Sequence, residues 1–309
     1  MRDKLVIGTR KSALALWQSE FIRSEIKRAY PGVEIELKHV VTRGDKTQEA
    51  GIPMPEIGGK GLFTAELEEC LLKKEIDLAV HSLKDLPTTL AADFTLGAIP
   101  KRAAVEDVVV SRSGARLLEL PRGAVVGTSS VRRSSQILNL RGDLKAEHIR
   151  GNVDTRLRKA RALDGQYDAI ILARAGLERL GLEKEATEIL SVRDMLPAPG
   201  QGALGVECRA DDSELLELLR ALHHPHTAAA VTAERAFLAA LGAGCNTPVA
   251  ALANVEISSG VELLDFRGRC LSPDGSRMIE IGGKLEIDKA ARLGREMAEQ
   301  ALSRGFNGL

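Results

Sequence analysis

Aromatic residues are scarce in this chain of 309 residues: they make up 3%, with one Trp and two Tyr. That argues against a platform for stacking single-stranded bases. Net charge is missing as well, because 43 basic residues balance 43 acidic ones. A general DNA or RNA binder needs a basic surplus, so no nucleic-acid partner is expected. No apolar run approaches the roughly 18 residues of a membrane span. The opening KLVIGTR at 4–10 reads directly as strand, without the apolar core of a signal peptide. Cysteine is limited to Cys70, Cys208, Cys245 and Cys270, with no C-x-x-C spacing. Reduced thiols in a cytoplasmic protein are therefore expected, not a disulfide framework. The HHPH cluster at 223–226 does not place adjacent histidines on one helix face, so it reads as a solvated helix end and no metal is assigned. GGKG at 58–61 lacks the spacing of a nucleotide phosphate loop.

What is present describes an ordinary globular protein, 44% hydrophobic and 28% charged. The length suits two or three domains, each with its own core. Arginine outnumbers lysine by 28 to 15, which favours planar recognition of carboxylates or phosphates. The stretch 124–158, AVVGTSSVRRSSQILNLRGDLKAEHIRGNVDTRLR, concentrates this tendency. An apolar run ends at Gly127-Thr128-Ser129-Ser130 and opens a helix carrying Arg132 and Arg133. A second strand ends at Arg150-Gly151-Asn152, before a helix with Arg156 near its start. Helix N-termini carry unpaired donors and partial positive charge, so this pattern points to a multiply charged anion.

The periodicity predicts strands near 4–10, 33–37, 76–83 and 94–99, with helices over 13–30 and 60–74 and Ser12 as an N-cap. Residues 100–107 link into a second α/β unit, with strands near 107–111, 124–128, 145–150 and 168–173. LPAPGQGALG at 196–205 returns the chain to the first unit through a strand at 203–208. A helix over 227–241, strands near 249–257, 261–270 and 277–286, and an amphipathic helix over 288–304 form a small α+β tail. The expected domains are 1–100 with 201–222, then 105–197, then 225–309. The fold class is α/β, two lobes with a central cleft where strand ends converge, plus the tail.

Asp85 follows an apolar strand in HSLKDLP at 81–87, beside Lys84. A solvated turn is one reading. An ionised carboxylate that stabilises a developing cation, or delivers a proton to a nitrogen leaving group, is the other. Cys245 lies in LGAGCNTP at 241–248, where flanking glycines allow close approach and no apolar periodicity places it in a core. It is a candidate reactive or modified thiol. The stretch near 43–57 reads as a flap, with Lys60 as its anion contact. Two rivals share the arginines: a non-catalytic two-lobed anion-binding protein and a regulator's effector-sensing domain. The first does not account for Cys245 or the third domain, and a net charge of zero argues against the second.

Taken together, TRKSALALWQ at 9–18, VTRGD at 41–45, GGKGLF at 58–63, HSLKDLP, GTSSVRR at 127–133, IRGNVDTRL at 149–157, LPAPGQGALG and GAGCNTPV at 242–249 resemble the porphobilinogen deaminase family across nearly the whole chain. The resemblance implies two lobes like type II periplasmic binding proteins, plus a third domain. It implies a transferase that joins four porphobilinogen molecules head to tail, with loss of ammonia, into linear hydroxymethylbilane. Separately, no exposed heptad or large apolar stripe demands association, so a monomer is expected. A dipyrromethane cofactor would be held by a thioether to Cys245, and Asp85 would be catalytic. Lys84, Ser82, Thr128, Ser129, Ser130, Arg132, Arg133, Arg150, Gly151 and Gln201 would hold the cofactor. Arg10, Ser12, Arg156, Arg179 and Lys60 would bind the carboxylates of substrate. One departure is visible: Glu56 stands where the family often has a lysine, so no anion contact is assigned there.

Overall fold

The computed structural model describes residues 2–45, 64–244 and 247–306. Lys60, Glu56, Cys245 and the 43–57 segment beyond Asp45 lie outside the described residues. The chain divides into two compact units, Met1–Arg102 with Ala203–Ala228, and Ala103–Gly202 with Ala229–Leu309. The 229–309 tail thus groups with the second lobe, while keeping its own sheet and core.

In the first unit, β1 (Lys4–Thr9), β2 (Glu34–His39) and β3 (Leu78–Ser82) are parallel. β10 (Leu204–Arg209) runs antiparallel between β3 and β4 (Phe94–Ala98), giving the order β2-β1-β3-β10-β4. The central strands are apolar on both faces because both faces are covered. On one face α1 (Ala13–Ala29) packs Ile22 and Ile26, four residues apart, against Leu5, Ile7, Leu78 and Val206. On the other, α2 (Ala65–Leu72) sets Leu67 and Leu71 against Ile76 and Ala79. Ser12 caps α1, accepting from the Ala15 N–H at 3.3 Å. The predicted strand 76–83 is shorter, since Leu83–Asp85 turn off the sheet as one 3-10 turn. The described part of the 60–74 helix stops at Leu72, with Lys74 in the left-handed region.

The second unit repeats the plan. β5 (Asp107–Ser111), β6 (Val125–Gly127), β7 (Lys145–Glu147), β8 (Ala169–Ala173) and β9 (Glu188–Ile189) order as β7-β6-β8-β5-β9. β6, β7 and β8 are parallel, and β5 runs against β8 and β9. In both sheets the strand entered by the crossing chain, β10 or β5, takes the same antiparallel place. The strand predicted over 145–150 ends at Glu147, because its partner β6 ends at Gly127 and offers no ladder beyond. Helices α3 (Val131–Leu140), α4 (Val153–Arg161) and α5 (Arg174–Arg179) follow β6, β7 and β8, and α6 (Ser213–Leu219) follows β10.

The tail comprises α7 (Pro225–Ala240), the meander β11 (Val249–Ser258), β12 (Val261–Leu271) and β13 (Met278–Glu286), and α8 (Ala290–Ser303). Its core centres on Phe237 and Phe266, edge to face at 5.3 Å.

Candidate active site

In the first lobe, the parallel strands β1 and β3 bring Arg10–Ser12 and Ser82–Asp85 to the same sheet edge. β10 begins there, with Leu204 opposite Ser82. The Gln18 amide donates to Ser82 Oγ at 2.8 Å and ties the strand end to α1. The Leu83 N–H then donates to the Ala203 carbonyl at 3.0 Å. Leu83 and Leu86 fold down onto Gly205, where a Cβ would stand 3.1 and 3.3 Å from their methyl groups. These constraints present Asp85 exposed on a one-turn support, with Lys84 half-buried beside it. A site on a rigid strand end holds its geometry better than one on a free loop.

Arg10 stands at this edge with its guanidinium engaged, Nε donating to Asp45 at 3.1 Å. Burial works against ionisation of Asp45, but hydrogen bonds from Arg10 and Thr42 outweigh it and hold that carboxyl below the usual carboxylate range. Any other carboxylate reaching Arg10 would therefore have to compete with Asp45. The same lobe holds a buried pair, His81 Nε2 and Glu207 Oε2 at 2.9 Å, with Glu207 fully enclosed. Glu207 Oε1 has no partner among the described residues. Sequence reasoning missed this pair, since only the antiparallel pairing of β3 and β10 joins residues so distant in the chain.

In the second lobe, β6, β7 and β8 send Thr128–Ser130, His148–Asn152 and Arg174 to one edge, where β5 begins with Asp107 opposite Ala173. Arg132 and Arg133, in the first turn of α3, are 4% and 5% exposed. Their Nη2 groups donate to the two Asp107 oxygens at 2.8 and 2.7 Å. Gln201, fully buried, donates to the same carboxylate at 2.9 Å and to the Val105 carbonyl at 2.7 Å. Burial pushes the Arg132 guanidinium below its usual pKa; Asp107 opposes this and Arg133 adds to it. Two buried cations share one buried anion. Arg132 Nε and Arg133 Nε have no partner among the described residues. Asp107 escaped the sequence reading because it reads as an ordinary strand start, and its two partners lie a full βα unit away.

The remaining predicted residues shape the same edge. Thr128 Oγ1 accepts from the Ser130 N–H at 3.2 Å, and Ser129 Oγ donates to the Ile149 carbonyl, joining the two strand-end loops. Ser130 opens α3 without a side-chain cap bond. Gly151 has φ +120°, and a Cβ there would strike Thr155 at 2.5 Å, so only glycine fits. Arg156 Nε donates to the Gly151 carbonyl at 2.8 Å. Arg150 is half-buried, and its enclosed Nη2 has no partner among the described residues. Arg179 is buried and donates to the Gly202 carbonyl at 2.8 Å, and burial lowers its pKa to about 10.

His148 reports on this cationic edge. Loss of solvent, with the like charges of Arg150 and Arg156, lowers its pKa below the ordinary value. The unfolded chain then binds the His148 proton more readily, so this residue subtracts stability as pH falls through the usual histidine range, about 6.5. An NMR titration should place its midpoint below that value, and Arg150→Leu should raise it. A midpoint unmoved by that substitution would contradict the clustering of charge.

A family profile described as "Porphobilinogen deaminase, dipyromethane cofactor binding domain" matches residues 5–217. A second, "Porphobilinogen deaminase, C-terminal domain", matches residues 228–303. The porphobilinogen deaminase of Roseiflexus castenholzii is 49% identical over 309 residues, covering 100% of this chain and 99% of that protein. That of Brevibacillus brevis is 46% identical over 302 residues, covering 98% and 95%. Among solved structures, the methionine binding protein MetQ aligns over 71% of this chain and 90% of its own at 13% identity, with a TM-score of 0.45.

Proposed function

The chain belongs to the porphobilinogen deaminase family, and from that premise we propose how its residues divide one polymerisation. The enzyme is a transferase that joins four porphobilinogen molecules head to tail, releasing ammonia at each step, into linear hydroxymethylbilane. Its cofactor is dipyrromethane, two linked pyrroles bearing acetate and propionate groups.

One observation carries the assignment of its binding residues. Arg132, Arg133 and Arg150 each keep an enclosed guanidinium N–H with no partner among the described residues, and Asp107 balances only one of the first two charges. Unspent buried donors beside surplus positive charge fit a polycarboxylate, since a charge-assisted hydrogen bond contributes about 1.5–3 kcal/mol and an unmade one costs desolvation. These three arginines would hold the cofactor with Lys84, Ser82, Thr128, Ser129, Ser130, Gly151 and Gln201. Burial pushes the Cys208 thiol up to about 11 and Cys270 up to about 12, and it raises Cys70 as well. Burial thus favours the protonated form of those thiols, while the family resemblance of the GAGCNTPV motif assigns the thioether to Cys245. When bound, the cofactor supplies a free pyrrole α-carbon as nucleophile.

Asp85 acts at the reacting end. Its carboxylate accepts from pyrrole N–H groups and offsets the positive charge that develops at the methylene carbon as ammonia leaves. Lys84 and Arg10 orient the incoming carboxylates, Arg10 by exchanging Asp45 for substrate, with Ser12, Arg156, Arg179 and Lys60 as further contacts. The enzyme works in the cytoplasm, a reading supported by the free thiols of Cys70, Cys208 and Cys270, and as a monomer. Intact-protein mass tests the cofactor assignment. The active protein should exceed its sequence mass by a two-pyrrole adduct, and the excess should vanish in Cys245→Ala. An unmodified mass in active protein would refute the assignment.

A further inference from the structure

Arg269 has no part in the site described above, yet it is the most heavily engaged buried cation of the C-terminal sheet. It lies mid-strand on β12, 8% exposed, paired across the sheet with Glu280. Its guanidinium donates to Glu280 at 2.6 Å and to the backbone carbonyls of Arg193 and Asp194 at 2.6 and 3.1 Å. It also donates to the side-chain oxygen of Gln136 on α3 at 2.8 Å. A buried charge with this many partners contributes little net stability over a well-packed apolar residue. What a satisfied network supplies is a single fixed arrangement.

The residue so fixed is Gln136, which is 1% exposed and one helical turn beyond Arg132. Its oxygen also accepts from the Leu196 N–H at 2.9 Å, and its amide nitrogen donates to the Leu196 carbonyl at 3.0 Å. That carbonyl is the one that takes Arg132 Nη1, at 2.7 Å. Arg269 therefore selects the amide orientation of Gln136, Gln136 holds Leu196, and Leu196 supplies one of the two anchors of Arg132. The other anchor is Asp107. The same return segment is held by the tail at two more points. Ala251 N–H donates to the Pro197 carbonyl at 3.1 Å, and the buried Glu234 accepts from Gly200 N–H at 2.6 Å.

We propose that Arg269 is a positioning residue for cofactor and chain binding, aiming the Arg132 guanidinium through Gln136 and Leu196. This rests on the reading of Arg132 as a carboxylate contact. The C-terminal sheet then has a second task besides carrying the cysteine loop: it sets the geometry of the cationic wall.

The test compares wild type with Arg269→Met, Arg269→Lys and Arg132→Met in the holoenzyme. After substoichiometric porphobilinogen, intact mass reads how many substrate units each polypeptide retains, and hydrogen exchange reads the Leu196 amide. Arg269→Met should lose on the order of tenfold in kcat/KM, with fewer polypeptides retaining two or more units and faster exchange at Leu196. Arg269→Lys keeps the charge but not the fork, so it should fall between, and it carries the test if the Met variant fails to fold. Unchanged retention and unchanged kcat/KM in the Arg269 variants, while Arg132→Met shifts both, would overturn the proposal. If Arg132→Met shifts neither, the reading of Arg132 as a carboxylate contact fails, and the proposal with it.

Discussion

Asp85→Asn should leave the fold and the Cys245 adduct intact while cutting turnover by about 10²–10⁴-fold, the range for a positioned acid–base group. The substitution is isosteric and falls on an exposed residue, so stability should move by less than about 0.5 kcal/mol. The turn itself is held by Leu83, Leu86 and Gly205, none of which the change touches. An amide still accepts a hydrogen bond but carries no negative charge, so the loss should appear in kcat and less in KM. Single-turnover rates together with a thermal melt check this. Near-normal turnover would remove Asp85 from the chemistry.

Asp107→Asn should have the largest effect on stability. Asp107 is fully buried and is the shared counter-charge of Arg132 and Arg133. Removing its charge leaves two enclosed guanidiniums facing each other, and breaking a buried pair in this way costs about 3–5 kcal/mol. For a unit of this size that lowers the unfolding midpoint by on the order of 10 °C. Adding Arg133→Met to Asp107→Asn should return part of the loss, because one uncompensated charge is removed with its partner. A change below about 1 kcal/mol, or strictly additive losses, would mean that the two arginines do not depend on this carboxylate. Gln201 also donates to Asp107, so the same variant should disturb the return segment.

Much of this was legible in one dimension. Strand and helix periods located the repeated β-α units, because burial on both faces of a parallel sheet leaves continuous apolar runs such as Ala169–Ala173. Ser12 announced its cap by local chemistry alone. The motifs around Asp85, residues 127–133 and Cys245 mark the groups proposed for the chemistry, because strand ends and glycine-flanked loops declare themselves through local composition. Strand ends were less legible. β7 stops at Glu147 where its neighbour stops, and no property of Ile149 or Arg150 declares that limit.

By itself, then, the order of residues determined the layered α/β class, the arginine-rich edge and the identity of the carboxylate and thiol proposed for the chemistry. Each of these depends on short-range pattern or residue type. Tertiary structure alone decided which buried polar groups meet: Asp107 with Arg132 and Arg133, Glu207 with His81, and Arg269 with Gln136. Such pairings join residues about 25 to 135 positions apart in the chain. They exist only once the sheets pair and the helices pack, because a buried polar group takes whichever partner the fold delivers.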